Sequence, residues 1–121
     1  MRLNELYLRD FRNYRESRAA FVPGVNLLVG GNANGKTNLL EAIFYLSTGH
    51  SFRTRKEQEL IRFEAEFAEL SANVTAQERE QALRAVLFSG RRPRQLWLNG
   101  VKQKTAAEFT GVLHSVLFCP E

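Results

Sequence analysis

Gly30-Gly31-Asn32-Ala33-Asn34-Gly35-Lys36-Thr37 has the residue types and spacing of a phosphate-binding loop, Gly-x-x-x-x-Gly-Lys-Thr. Glycine allows the backbone to turn through positive φ, which a side chain opposes. A backbone turned in this way aims successive N–H groups into a concavity suited to anions. A helix that follows adds its unsatisfied N–H groups and the positive end of its dipole. In such a loop the Lys36 ammonium bridges the β- and γ-phosphates of a bound nucleotide. The Thr37 hydroxyl coordinates Mg²⁺, a cation that keeps most of its waters and takes few protein ligands. The bare pattern arises by chance in well under ~1% of chains of this length. The candidate nucleotide-binding residues are therefore Gly30, Gly31, Asn32, Ala33, Asn34, Gly35, Lys36 and Thr37, with Asn38 beside them and Thr37 as the metal ligand. The competing reading is a glycine-rich turn into a helix that holds no ligand.

Chemistry at that loop needs a strand before it and a helix after it. Val25-Asn26-Leu27-Leu28-Val29 reads as the strand. Asn38 to Leu46 reads as the helix, with Leu39, Ala42, Ile43 and Leu46 on one face at i, i+3, i+4 and i+7. Leu40, Phe44 and Tyr45 widen its apolar surface, which predicts burial on most sides, and Gly49 is placed as its C-terminal stop. Upstream, Arg2 to Phe11 alternates as a strand, Asp10 to Tyr14 forms a turn, and Glu16 to Val22 is a second strand antiparallel to the first. Downstream, Ser51 to Lys56 reads as a basic loop, Glu57 to Arg62 as a short helix, and Glu64 to Ala76 and Gln81 to Phe88 as strands. Arg94 to Leu98 and Val101 to Lys104 flank Asn99-Gly100, the strongest short-range hairpin signal. Thr105 is placed to cap a helix through His114, with Glu108 at the capping-box position, and Ser115 to Cys119 is an apolar run that predicts a buried strand. A regular doubly wound fold would alternate strand and helix throughout. This order instead predicts an α/β fold in which an antiparallel sheet packs against a P-loop strand-helix core.

Composition bounds the rest. The chain has 121 residues, 44% of them hydrophobic with nine Phe, enough for one small core. No apolar run approaches a membrane span, and Met1 to Glu5 lacks the apolar core of a signal peptide. Cys119 is the single cysteine, so an internal disulfide is impossible. The expected location is the cytoplasm, without membrane. A net charge of +4 permits an acidic partner without requiring one. Arg53, Arg55 and Lys56, beside Phe52, are candidate contacts to a DNA backbone, since cations supply that affinity; a solvated basic loop is the alternative. Arg91, Arg92 and Arg94 invite the same hypothesis more weakly. Trp97 reads as sheet-face packing, and His50 and His114 have no partner motif. A P-loop ATPase also needs a later strand ending in an acid to hold Mg²⁺ and polarise water. No convincing one is found here, so the chain reads as the first part of a longer protein.

Leu8 to Tyr14, Val25 to Gly30 and Asn34 to Ile43 together resemble the start of the RecF family of bacterial DNA replication and repair ATPases, relatives of the ABC-type ATPases of the SMC family. Gly49 to Arg53, Leu98 to Gly100 and Val116 to Glu121 continue the resemblance in the family's order. It implies the N-terminal part of an ABC/SMC-type P-loop NTPase head over residues 1–121, incomplete because the signature motif and acidic strand are absent. It implies binding of ATP and Mg²⁺ at Gly30 to Thr37. It further implies homodimerisation on ATP, binding to single-stranded or gapped duplex DNA, slow hydrolysis, work with RecO and RecR, and support of replication, recombination and the SOS response. Related ATPases place an N-terminal Arg near the nucleotide, which makes Arg12 either a phosphate or adenine contact or a solvated turn residue. Val116 to Glu121 corresponds by resemblance to the segment that senses γ-phosphate. Another SMC- or ABC-type ATPase, and a nucleotide-binding fragment without catalysis, are the alternatives.

Overall fold

The computed structural model describes residues 2–20, 33–76 and 78–112. Strands β1 (Arg2–Phe11) and β2 (Tyr14–Ala20) come first, followed by helix α1 (Ala33–Thr48) and a short 3₁₀ helix (Glu57–Leu60). Strands β3 (Phe67–Ala76), β4 (Arg79–Phe88), β5 (Gln95–Leu98) and β6 (Val101–Gln103) follow, then α2 (Ala107–Gly111). The six strands form one sheet in the order β2-β1-β3-β4-β5-β6, every neighbouring pair antiparallel. Helix α1 thus stands in the chain between β2 and β3, and β3 pairs against the side of β1 that β2 leaves free.

Side-chain alternation decides which sheet face meets the helix. Leu6 and Leu8 of β1, Leu70, Ala72 and Val74 of β3, Leu83, Ala85 and Leu87 of β4, and Leu96 of β5 are buried. With them in one core lie Ala42, Ile43, Tyr45 and Leu46 of α1 and Phe109 of α2. Leu3 and Leu6 are three residues apart yet both buried, which period two forbids. A register shift against β3 between Leu3 and Glu5 absorbs the odd residue. The hairpin at Asn99-Gly100 has both residues at positive φ, 53° and 81°, as a tight primed turn requires. Asn99 also accepts the Ala82 N–H on its side-chain oxygen at 2.8 Å, extending the β4–β5 ladder by one rung.

Several expectations shift. Helix α1 begins at Ala33, before Asn38, and ends at Thr48; Gly49 follows at φ 84° and donates its N–H to the Tyr45 carbonyl at 2.7 Å. One flank of α1 is less covered than its apolar surface suggests: Leu40 is 42% exposed. Glu64 does not open β3. It sits at φ 70° in a turn where the Ala65 N–H donates to the Arg62 carbonyl, and the strand starts at Phe67. Thr105 does not cap α2: Ala106 occupies that position without any side-chain cap, and the helix runs only from Ala107 to Gly111. The expected strands Val25 to Val29 and Ser115 to Cys119, together with His114 and Glu121, lie outside the described residues.

Candidate nucleotide-phosphate site

Lys36 and Thr37 fall in the first turns of α1. No acidic residue stands in that first turn, so the positive end of the helix dipole is left without a covalently attached anion. Thr37 is half-buried. Gly30, Gly31 and Asn32 lie outside the described residues, and of Ala33, Asn34, Gly35 and Lys36 only the helical backbone is described.

The β1–β2 turn is brought against this helix by an unusual backbone. Asp10 and Arg12 both adopt left-handed φ, 52° and 54°, which costs a side-chain-bearing residue on the order of 1 kcal/mol or more each. Between them Phe11 is completely buried and bridges Ile61. The Arg12 N–H donates to the Leu60 carbonyl at 2.8 Å and the Arg62 N–H to the Asp10 carbonyl at 2.7 Å. The segment after the 3₁₀ helix thus clamps the turn in its strained form.

What the clamp delivers is Arg12 to Glu41. The Arg12 guanidinium donates Nε to Oε1 at 2.9 Å and Nη2 to Oε2 at 2.8 Å, a bidentate pair. Arg53 donates Nη2 to the same Oε1 at 2.6 Å and to Asn38 Oδ1 at 2.5 Å. Ser51 donates its hydroxyl to Glu41 Oε2 at 2.5 Å, and Asn38 donates Nδ2 to Asn13 Oδ1 at 2.9 Å. Glu41 has no exposed surface. Burial alone pushes its carboxyl up, but the hydrogen bonds from Arg12, Arg53 and Ser51 outweigh burial and hold it down at about 2. Two guanidiniums meet one carboxylate here, so the cluster carries one excess positive charge.

The other candidate residues that the structure describes each have a place. Arg12 lies beside α1, engaged with Glu41, and keeps 24% of its side chain exposed. Asn38 is buried in the cluster with both ends of its amide engaged. Arg53 turns to Glu41, away from Arg55 and Lys56, which remain exposed. Arg94 parts company with Arg91 and Arg92: its Nη1 donates to Gly49 O at 2.5 Å, Tyr45 Oη at 2.9 Å and Glu57 Oε2 at 3.1 Å. Tyr45 in turn donates its hydroxyl to Glu57 at 2.6 Å, and burial, then that carboxylate, raise its pKa. His50 is exposed, and Trp97 is half-buried on the sheet with the Arg84 guanidinium 5.9 Å from its ring centre.

Glu41 is the residue that sequence reasoning missed. A signal was present: it is the only acid of α1, set between Leu40 and Ala42 in an apolar helix, one turn beyond Asn38. A carboxylate in that setting must find cationic partners when buried.

A helix that carries Gly35-Lys36-Thr37 in its opening turns and packs on an antiparallel sheet has the organisation of a P-loop NTPase fold. The family described as RecF/RecN/SMC N terminal domain matches residues 2–118, and the chain belongs to it. The chain is 40% identical to the DNA replication and repair protein RecF of Lactobacillus gasseri and 39% identical to that of Halalkalibacterium halodurans, in each case over 100% of this chain and 32% of the relative. It therefore spans about a third of the length of these curated relatives. Among solved structures, the recombination mediator protein RecF-ATP in the RecFOR pathway superposes with a TM-score of 0.81 at 37% identity, over 91% of this chain and 30% of that one. The SMC head domain from Thermotoga maritima superposes with a TM-score of 0.69 at 25% identity, over 86% of this chain and 39% of that one.

Proposed function

We propose that residues 1–121 form the N-terminal part of an ABC-type ATP-binding head in a RecF-like ATPase of DNA repair and replication. The observation that carries this reading is the placement of Lys36 and Thr37 in the opening turns of α1, within a fold that superposes on a RecF-ATP structure. The residues present fit a nucleotide triphosphate and its metal. The amino-terminal pole of α1 has no acid to compensate it, and the Arg12–Glu41–Arg53 cluster, met further along the same helix at Asn38 and Glu41, carries an excess positive charge. In this reading Gly30 to Gly35 supply backbone N–H groups to the phosphates, Lys36 neutralises the β- and γ-oxygens, and Thr37 offers a hydroxyl to Mg²⁺. Arg12 stands by as a phosphate or base contact, with Glu41 holding its fork in one plane. ATP, when bound, would supply the phosphoanhydride bond, and Mg²⁺ would neutralise charge on its oxygens.

The whole protein then works in the cytoplasm, dimerises on ATP, binds single-stranded or gapped DNA and hydrolyses ATP slowly, with RecO and RecR as partners in recombination and the SOS response. Support for these finer roles is the family membership and the RecF relatives. The test is calorimetry of Mg²⁺-ATP binding to the full-length protein and to its Lys36→Ala variant. A tenfold or greater loss of affinity, about 1.4 kcal/mol, is expected. Equal affinity of the two proteins overturns the assignment of the loop.

A further inference from the structure

Two basic stretches that stand about 35 residues apart in the sequence, 53–56 and 91–94, come together in the fold. Between them lies an open groove of about 710 Å³, lined by Arg55, Lys56, Glu59, Phe88 and Arg92 among others. A side-chain bond closes its floor: Gln58 Nε2 of the 3₁₀ helix donates to the Gly90 carbonyl of the β4–β5 turn at 3.1 Å. The Arg92 guanidinium lies 4.1 Å from the centre of the Phe88 ring, a cation–π contact that holds its fork at the rim. Arg55, Lys56, Arg91 and Arg92 are all exposed, and among the described residues none of the four makes an ion pair. Two carboxylates also line the groove. Glu57 is taken by Tyr45 and Arg94, which leaves Glu59 against Arg55, Lys56 and Arg92.

We propose that this groove holds the phosphodiester backbone of a nucleic acid, with Arg55 and Lys56 on one wall and Arg92 on the other, the exposed Arg91 standing next to it in the chain. The inference rests on the DNA-binding part of the function proposed above and assigns it a place. Three of the four cations are arginines, whose planar fork matches phosphate oxygens two at a time. They sit on turns, away from any element shaped to enter a base-pair groove, so the contact reads the backbone and not the sequence. The groove also stands at the opposite end of α1 from Lys36: Arg94, on its border, binds the Gly49 carbonyl just beyond the helix. A helix of 16 residues spans roughly 24 Å. Nucleotide and nucleic acid therefore do not compete for one site. The loop between them touches both, with Ser51 and Arg53 bonded to Glu41 and Arg55 and Lys56 on the groove.

The experiment measures binding of a fluorescent gapped duplex to the full-length protein by anisotropy across a range of salt concentrations. It compares wild type, Arg55→Gln with Lys56→Gln, and Arg91→Gln with Arg92→Gln. Arg79→Gln with Lys102→Gln, a pair of exposed cations outside the groove, is the control for net charge. Circular dichroism establishes that each variant is folded. Each groove pair is expected to weaken binding tenfold or more at low salt and to lower the slope of log K against log salt by about 2, at ~0.9 per phosphate contact. The control pair is expected to leave that slope unchanged. Equal losses in groove and control pairs overturn the proposal, since net charge then suffices. Full affinity in both groove pairs also overturns it and turns attention to an acidic protein as occupant. Absence of binding by the wild type sinks the DNA-binding reading itself, a different result from either.

Discussion

Glu41 loses all contact with water in the folded chain, and that loss alone would raise its pKa. Arg12, Arg53 and Ser51 reverse the sign by donating to both oxygens. Removing the carboxylate strands two guanidiniums at a partly buried site, where a broken pair typically costs about 3–5 kcal/mol. Glu41→Ala is expected to speed hydrogen exchange of the α1 amides by a matching free energy, and Arg12→Ala to do so less, because Arg53 and Ser51 remain. A pH effect follows with a definite sign. The folded-state pKa is depressed to about 2, so the stabilising contribution is complete above the ordinary carboxylate value of 4.5 and is lost as pH falls towards about 2. Acid titration of the thermal midpoint is expected to be flatter across that window in Glu41→Gln than in wild type. A wild-type profile no steeper than that of the variant would contradict the assignment.

At the scale of elements, two glycines separate backbone conformation from packing. Gly49 and Gly100 both sit at positive φ, 84° and 81°. A Cβ on Gly49 would lie 3.3 Å from Thr110 Cγ2, whereas one on Gly100 meets nothing within 4 Å. Gly100→Ala is therefore expected to cost about 1–2 kcal/mol from φ alone, and Gly49→Ala more, because α2 must also yield. Thermal unfolding of the two variants checks the order. Legibility in the sequence followed a similar division. Strand β1, the Asn99-Gly100 hairpin and the Gly49 stop were readable because each depends on local alternation or turn chemistry. The early start of β3 at Glu64 failed because tertiary contacts decided it, and the Thr105 cap failed because α2 starts one residue further on. Bonds between the 60–65 segment and the β1–β2 turn hold Glu64 in a turn, and α2 begins at Ala107 with Ala106 as its cap. The candidate site divided likewise. The loop motif announces Lys36 and Thr37 by spacing, but pairing Arg12 and Arg53 with Glu41 needs the strained turn, which no spacing reveals.

For the whole molecule, a ligand that binds only the folded head must stabilise it. At 100 times its dissociation constant, Mg²⁺-ATP is expected to add about 2.7 kcal/mol to the head, read as a raised thermal midpoint in wild type. Lys36→Ala at the same nucleotide concentration should show a smaller rise. A rise of equal size in both would place the nucleotide elsewhere. The strand order carries a consequence of another kind. Because β3 completes β1, Leu6 waits for Ala72 and Leu8 for Leu70, across the stretch that holds the candidate phosphate loop and α1. As the nascent chain leaves the ribosome, β1 and β2 emerge before β3, and a two-stranded hairpin without its third strand is marginal in water. Such a non-local pairing is slow to form, so the helix finds its floor only after β3 has been synthesised. Pulse-labelled hydrogen exchange during refolding should then show β1, β3 and α1 gaining protection in one late phase.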